Sequence, residues 1–128
     1  MSIYMELEIP NEWGLYLYDI LKGIREDNNL RWIINSSEIL TKEKDDFPEL
    51  LDNNAYENAT LFNTINEVCY VISLDMHALG DDGSEDMHVR ISDSFYVEIW
   101  IYENAIWDKF KNNDVISNYV KRYGEEAK

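Results

Sequence analysis

One stretch of the chain reads Phe95-Tyr96-Val97-Glu98-Ile99-Trp100-Ile101-Tyr102 and alternates between two kinds of side chain. Successive side chains of a strand point to opposite faces of a sheet, so this period of two predicts a long strand. One face of that strand is apolar and carries Phe95, Val97, Ile99 and Ile101. The other face carries Tyr96, Glu98, Trp100 and Tyr102.

The same alternation opens the chain and predicts a first strand that ends before Pro10. Its apolar positions are Ile3, Met5, Leu7 and Ile9, and its other face carries Tyr4, Glu6 and Glu8. The run from Val68 to Leu74 is apolar apart from Ser73, which is typical of a strand in the middle of a sheet and covered on both faces. Residues 30–34 and 38–40 are predicted to form a hairpin, and residues 87–91 a short strand.

Helical spacing of apolar residues predicts a first helix over residues 11–25, with Asn11 as its N-cap, and a second over residues 55–67. A last helix is expected from Asn104 towards Gly124, with an interruption at Asn112-Asn113-Asp114 that can start a separate turn and with Gly124 as the C-cap. Thr41 to Asn54 forms at most a short helix. The order β-α-β-β-α-β-β-β-α, rich in hairpins, predicts one α+β domain over residues 1–128, with a mostly antiparallel sheet and about three helices.

The composition separates this chain from disordered proteins of similar charge. Apolar residues make up 45% of its 128 residues, yet the formal net charge is −15. Such a charge excludes non-specific binding to nucleic acid or anionic membranes and favours a basic protein as partner. The plainer interpretation is that the acidity only confers solubility.

The single cysteine, Cys69, lies in the apolar run and can form no intramolecular disulfide, which fits a reducing compartment. No basic segment followed by an apolar one opens the chain, and no run reaches transmembrane length, so a cytoplasmic protein is expected. Cys69 with His77 is a candidate pair of thiol nucleophile and base. A thiol in so apolar a strand is usually inert.

A resemblance adds to this interpretation. The opening Glu8-Ile9-Pro10-Asn11-Glu12-Trp13-Gly14, followed by Tyr16-Leu17-Tyr18-Asp19-Ile20-Leu21, resembles the start of a family of small uncharacterised proteins from spore-forming Gram-positive bacteria. The pattern around Tyr96-Val97-Glu98-Ile99 is also similar. The resemblance implies a bacterial origin and a compact fold, and it brings no catalytic residues because the family is a domain of unknown function. The segment after Gly124 is shorter than expected for that family, which leaves a final strand open.

A repeated tripeptide, Asp75-Met76-His77 and Asp86-Met87-His88, flanks an acidic loop. If the two copies pair as antiparallel strands, Asp75 can face His88 and His77 can face Asp86. These four residues are candidate ligands for a zinc-like ion. Two structural Asp–His pairs, or coincidence in an acidic chain, are the alternatives, and no metal or cofactor is assigned.

Aromatic side chains interleaved with carboxylates suit a surface that docks on a basic partner. The alternative is that helices cover these aromatics as part of the core. The acidic loop at residues 80–86 lacks the EF-hand register, so it is interpreted as a solvated loop or a further contact for a basic partner. The predicted partner-binding residues are Asp45, Asp46, Glu49, Asp81, Asp82, Glu85, Asp86, Tyr96, Glu98, Trp100 and Tyr102.

No catalytic motif is recognisable, so the chain is expected to be a protein-binding module and not an enzyme. The leading hypothesis is an immunity or antitoxin-like inhibitor that covers the basic site of a toxin, such as a nuclease. A regulatory or scaffold module without inhibitory activity is the second hypothesis. A metal-binding enzyme built on the Asp–Met–His repeat is the third.

Overall fold

The computed structural model describes residues 2–41 and 55–126 and confirms the α+β class. Within these ranges, all strands belong to one antiparallel sheet of seven, in the order β3-β2-β4-β5-β6-β1-β7. The strands are β1 (Ser2–Glu8), β2 (Arg31–Thr41), β3 (Ala55–Glu57), β4 (Cys69–Leu79), β5 (Glu85–Ser92), β6 (Tyr96–Ile101) and β7 (Val120–Glu126).

Three α-helices are described: α1 (Tyr16–Leu21), α2 (Asn58–Ile65) and α3 (Asn104–Lys111). Their apolar side chains, such as Leu17, Phe62 and Phe110, join one core cluster with the inward-facing residues of the strands. The helices therefore lie on one face of the sheet. No described helix is long and apolar enough to cross a membrane.

The alternation in β6 separates a buried face of the sheet from an open one. Val97, Ile99 and Ile101 are at most 1% exposed, whereas Tyr96, Glu98 and Trp100 are only half-buried. None of the half-buried three belongs to the core cluster or to the apolar side chains packed against it. The described helices thus leave the aromatic and acidic face uncovered, contrary to the alternative that they bury it.

The first helix is shorter than predicted. It begins at Tyr16, with Leu15 at the N-cap, and ends in a 3₁₀ turn over Lys22–Ile24. Asn11 is not its cap, because the Asn11 side chain instead accepts a hydrogen bond from the Tyr70 hydroxyl. Asn11 is a residue type that can cap a helix, but its side chain contacts β4 instead. The sequence around Asn11 does not reveal this contact.

The predicted hairpin over residues 30–40 is wrong, because β2 runs as one strand through Asn35-Ser36-Ser37. The register of β2 against β4 shifts between Ile34 and Ser36 and again between Glu38 and Ile39. These irregularities accommodate the polar residues as bulges, which disturb a strand without ending it. Pairing with β4 over its whole length outweighs the local turn signal.

The strand predicted at residues 68–74 lies mid-sheet as expected, between β2 and β5, and extends to Leu79. It is covered on one face only, since Val71, Leu74 and Met76 are buried while Ile72 and Asp75 are half-buried. Its apolar run reflects local composition and not two-sided burial. The predicted second helix is likewise shortened, because Ala55–Glu57 forms β3 before α2 begins.

The last helix begins at Asn104 as predicted, but its extension to Gly124 is wrong. α3 ends at Lys111, only a 3₁₀ turn over Ile116–Asn118 is helical beyond it, and Val120–Glu126 forms β7 beside β1. Gly124 pairs with Tyr4 in this ladder. The second edge of β1 offers unpaired backbone groups that attract another strand, and that long-range pairing decides the conformation.

Candidate functional site

The open face carries a row of rings that crosses four strands. The register aligns Tyr4 of β1 with Trp100 of β6, Trp100 with His88 of β5, and His88 with His77 of β4. Directly paired residues share a face and lie close together, so the four side chains form a continuous line. We call Tyr4, Trp100, His88 and His77 the aromatic row.

The rings of the aromatic row contact one another in sequence. Centroids are 5.2 Å apart for Tyr4 and Trp100, 4.8 Å for Trp100 and His88, and 4.0 Å for His88 and His77. The last two pairs are stacked, with interplanar angles of 21° and 13°. The guanidinium of Arg90 lies 5.8 Å from the Trp100 ring centroid, within range of a cation–π contact. The row is therefore an ordered surface and not a set of free side chains.

A charged row runs beside the aromatic row. Register places Glu6 opposite Glu98, Glu98 opposite Arg90, and Arg90 opposite Asp75. Two carboxylates directly opposite each other repel. Arg90 offsets part of this repulsion through an ion pair of 3.2 Å with Glu98. Glu98 also accepts a hydrogen bond of 2.7 Å from the Tyr4 hydroxyl. The charged row comprises Glu6, Glu98, Arg90 and Asp75.

The tyrosine at the end of the aromatic row stays neutral. Burial, followed by the hydrogen bond to Glu98 and the surrounding carboxylates, raises the pKa of Tyr4 far above its ordinary value. Its hydroxyl therefore acts as a hydrogen-bond donor to Glu98 and does not add a charge to the open face.

The predicted pairing of the Asp–Met–His copies is half correct. His88 Nε2 lies 2.6 Å from Asp75 Oδ1, as expected. His77 does not pair with Asp86: its Nδ1 is hydrogen-bonded to Glu85. The ladder pairs His77 with His88 and Asp75 with Arg90, so the two copies are offset, and a register shift after Ala78 places Glu85 opposite Leu79.

Asp86 lies apart from the two histidines. It is half-buried, and a Cβ added to Gly80 would come within 2.6 Å of its carboxylate. Burial is the largest cause that raises the pKa of Asp86, followed by repulsion from Glu103 and Asp82. Of the four candidate metal ligands, Asp75, His77 and His88 converge, with their ligand atoms within 4.8 Å of one another.

The loop that joins β4 to β5 is exposed, as predicted. Gly83 adopts a φ of 80°, and Asp82 accepts hydrogen bonds from the backbone and the hydroxyl of Ser84, at 2.9 and 2.6 Å. These bonds lower the pKa of Asp82. Asp81, Asp82 and Glu85 thus place carboxylates at the end of the hairpin that carries His77 and His88.

The remaining predicted contact residues divide into two groups. Tyr96 lies with Glu98 and Trp100 on the open face, and Tyr102 follows the end of β6, where its backbone N–H donates to the Asp86 carbonyl. Asp45, Asp46 and Glu49 lie outside the described residues.

Cys69 is unsuited to nucleophilic chemistry. It is 4% exposed within the core cluster, whereas His77 lies on the open face. Burial, with a smaller effect of Glu67, raises the pKa of the Cys69 thiol to about 11. A thiol in this state is protonated at neutral pH and unreactive.

Sequence reasoning missed the stack itself. The period of two places Tyr4 and Trp100 each on the non-apolar face of its strand. Their direct pairing, and the contact of Trp100 with His88, depend on strand order. Arg90 was not singled out, although its position two residues after His88 places it on the same face. The alternation of side chains along β5 was the signal in the sequence that could have identified Arg90.

The opening segment singled out for its resemblance has a structural role. Gly14 exchanges two backbone hydrogen bonds with Cys69, of 3.0 and 3.1 Å, and Trp13 stacks on Tyr70 at 6.0 Å. A Cβ at Gly14 would lie within 2.4 Å of the Tyr16 ring. The segment therefore anchors the connection between β1 and α1 to the start of β4.

These features define a class: an acidic α+β domain whose sheet has one helix-covered face and one face of ordered aromatic and charged side chains. The chain belongs to the family described as Protein of unknown function (DUF2691), which matches residues 2–87. Comparison with curated proteins and with solved structures gives no significant match.

Proposed function

We propose that the chain is a protein-binding module that docks a basic protein on its open face, and that it acts as an immunity or antitoxin-like inhibitor of a toxin. The supporting observation is the aromatic row with carboxylates on both sides. The charged row flanks it on one side, and Glu85 with the acidic loop flanks it on the other.

The energetics of this arrangement favour a cationic partner. Trp and Tyr rings supply most of the affinity in protein interfaces, and surrounding acids steer a basic partner and raise the association rate. Glu6 and Glu98 are held opposite each other at a cost in stability. A Lys or Arg side chain of the partner placed between them would remove that repulsion, so the face gains more from a basic surface than from a neutral one.

We place the chain in the bacterial cytoplasm as part of this proposal. We also propose that the chain itself has no catalytic activity. The resemblance of the opening segment to proteins of Gram-positive bacteria supports the first part. The net charge of −15 supports an inhibitor of a basic toxin, because it complements an active site that binds an anionic substrate such as nucleic acid.

The test is affinity capture from the source cell at low and high salt, followed by an activity assay of the retained protein. A basic partner whose toxic or nuclease activity is inhibited by the chain, and whose association slows steeply with salt, supports the proposal. Capture of no basic protein overturns it. A partner that binds without inhibition overturns the inhibitory role and favours a regulatory or scaffold module.

Matched variants locate the surface. Trp100→Ala, and the double variant Glu6→Gln with Glu98→Gln, should each weaken binding by at least about 10-fold. The control is Glu26→Gln with Asp108→Asn, which removes the same number of charges from exposed positions on α3 and the loop after α1. Equal effects of the test and control pairs would show that net charge, and not the open face, governs binding.

A further inference from the structure

Three side chains on β4 and β5 bring metal-ligating atoms together on the open face. An oxygen of Asp75 and a ring nitrogen from each of His77 and His88 lie within 4.8 Å of one another. In a tetrahedral zinc site, with metal–nitrogen bonds of about 2.0–2.1 Å, neighbouring ligand atoms are about 3.3 Å apart. The His77 and His88 rings are stacked with an interplanar angle of 13°, so one ring must rotate out of this stack before all three ligands can surround one ion.

The backbone holds these ligands in place. His77 and His88 are directly paired in the ladder, and Asp75 lies two residues before His77 on the same face. Their side chains are 31% exposed for Asp75, 26% for His77 and 17% for His88. They are thus packed enough to be oriented and open enough for an ion to enter from solvent.

The partners of the histidines match those of metal-binding histidines. The Nδ1 of His77 is hydrogen-bonded to Glu85, and its Nε2 faces Asp75 Oδ1 at 3.7 Å. A histidine that binds a metal through one ring nitrogen characteristically donates a hydrogen bond from the N–H of the other to a carboxylate, which fixes the tautomer and the ring orientation. Stacking on Trp100 orients the His88 ring in the same way.

The spacing of two of these atoms also suits an ion. His77 Nε2 and Asp75 Oδ1 face each other at 3.7 Å, too far for a hydrogen bond. An ion bound to both, with metal–ligand bonds of about 2.0–2.2 Å, spans that distance. His88 takes part by giving up its contact of 2.6 Å with Asp75 and carrying its proton on Nδ1.

We infer that Asp75, His77 and His88 bind one divalent first-row transition ion of the zinc type. Two imidazoles and a carboxylate suit such ions, whereas magnesium and calcium prefer all-oxygen sites. Three protein ligands leave the fourth position of a tetrahedral ion open to water. The site lies within the docking surface, since His77 and His88 belong to the aromatic row and Asp75 to the charged row, but it does not require a docked partner, because all three ligands come from this chain.

The experiment titrates the purified full-length chain with zinc by calorimetry, and with cobalt by visible absorption, in excess magnesium. Magnesium saturates the many surface carboxylates and leaves imidazole sites free. The expected result is one ion per chain, with the intense cobalt absorption of a tetrahedral site. No binding of either ion under these conditions overturns the inference.

Variants identify the ligands. His77→Gln, His88→Gln and Asp75→Asn should each weaken zinc binding by more than about 100-fold, while Glu85→Gln, which leaves the ligands intact, should weaken it by about 10-fold. Glu26→Gln with Asp108→Asn, at exposed positions away from the open face, is the control and should leave zinc affinity unchanged. Unchanged affinity in His77→Gln combined with His88→Gln overturns the inference.

A measurement on the unmodified chain keeps the test valid if a variant fails to fold. The chain has two histidines, so every histidine ring resonance in a nuclear magnetic resonance spectrum comes from one of the two proposed ligands. Zinc should shift the Nε2 resonances of both rings at one equivalent. Unmoved ring resonances at saturating zinc overturn the inference, whatever the variants show.

Discussion

The two faces of the sheet are built from the same strands but follow different rules. On the buried face, Met5, Val89 and Ile99 are at most 3% exposed and belong to the apolar core cluster. On the open face, Trp100 and Glu98 are held by stacking, hydrogen bonds and an ion pair. Burial explains the first set of residues. The second set is ordered without being buried, which favours a role in recognition.

The largest expected effect is on the buried face. Ile99→Ala should lower the free energy of unfolding by about 4 kcal/mol, because it removes buried methyl groups and leaves a cavity in the core. Urea denaturation followed by circular dichroism measures this. Ile99→Val is the matched control and should cost only about 1 kcal/mol. A loss below about 1 kcal/mol for Ile99→Ala would contradict the close packing of this face.

The second prediction concerns a polar exception on the helix side. Asn58 is 1% exposed, accepts a hydrogen bond of 2.8 Å from the Trp32 indole, and donates one of 2.8 Å to the Ile24 carbonyl. Asn58→Ala should cost about 2–3 kcal/mol, because the buried indole N–H of Trp32 loses its acceptor and the Ile24 carbonyl keeps only the hydrogen bond from the Asp27 backbone N–H.

The control for Asn58 is Asn113, whose side chain also donates a hydrogen bond to a backbone carbonyl but lies at a more solvent-accessible position. Asn113→Ala removes a donor to the Asp19 carbonyl, at 3.0 Å, but water can replace it at this half-buried position. Its cost should be about 1 kcal/mol. Equal losses of unfolding free energy for Asn58→Ala and Asn113→Ala would mean that burial does not determine how much these side-chain hydrogen bonds stabilise the fold.

The third prediction compares sequence neighbours on opposite faces. Trp100→Ala should lower the free energy of unfolding by about 1–2 kcal/mol through lost ring contacts with Tyr4 and His88, clearly less than Ile99→Ala. The same denaturation experiment measures it. A loss as large as that of Ile99→Ala would show that Trp100 serves the core of the fold, and the distinction between the faces would fail.

The smallest predicted effect depends on pH. Burial holds the folded-state pKa of Asp86 above its ordinary value. The folded chain therefore binds more protons than the unfolded chain between these values, and stability falls as pH rises through the folded pKa. Asp86→Asn should raise stability at neutral pH, by less than about 1 kcal/mol, and the gain should vanish in acid. Thermal unfolding across this pH range measures the effect. A gain that persists in acid would argue against the ionised carboxylate as its cause.

Local patterns predicted some parts of the candidate site better than others. The period of two in residues 95–102 correctly separated Ile99 from Trp100, and the Asp–Met–His repeat correctly brought Asp75 to His88. The partner of His77 was missed because a register shift exchanged Asp86 for Glu85. A shift of this kind depends on the geometry of two paired strands, which neither strand encodes alone.

The sequence by itself determined the class of the fold, the acidity and the assignment of most strand residues to a face, because these depend on composition and on a period of two or 3.6 along the chain. Tertiary structure alone decided that residues 31–41 form one strand, that residues 120–126 pair with β1, and that His77, His88, Trp100 and Tyr4 form one row. The physical reason is that hydrogen bonds between strands distant in sequence outweigh local propensities, and only their order and register bring those rings into contact.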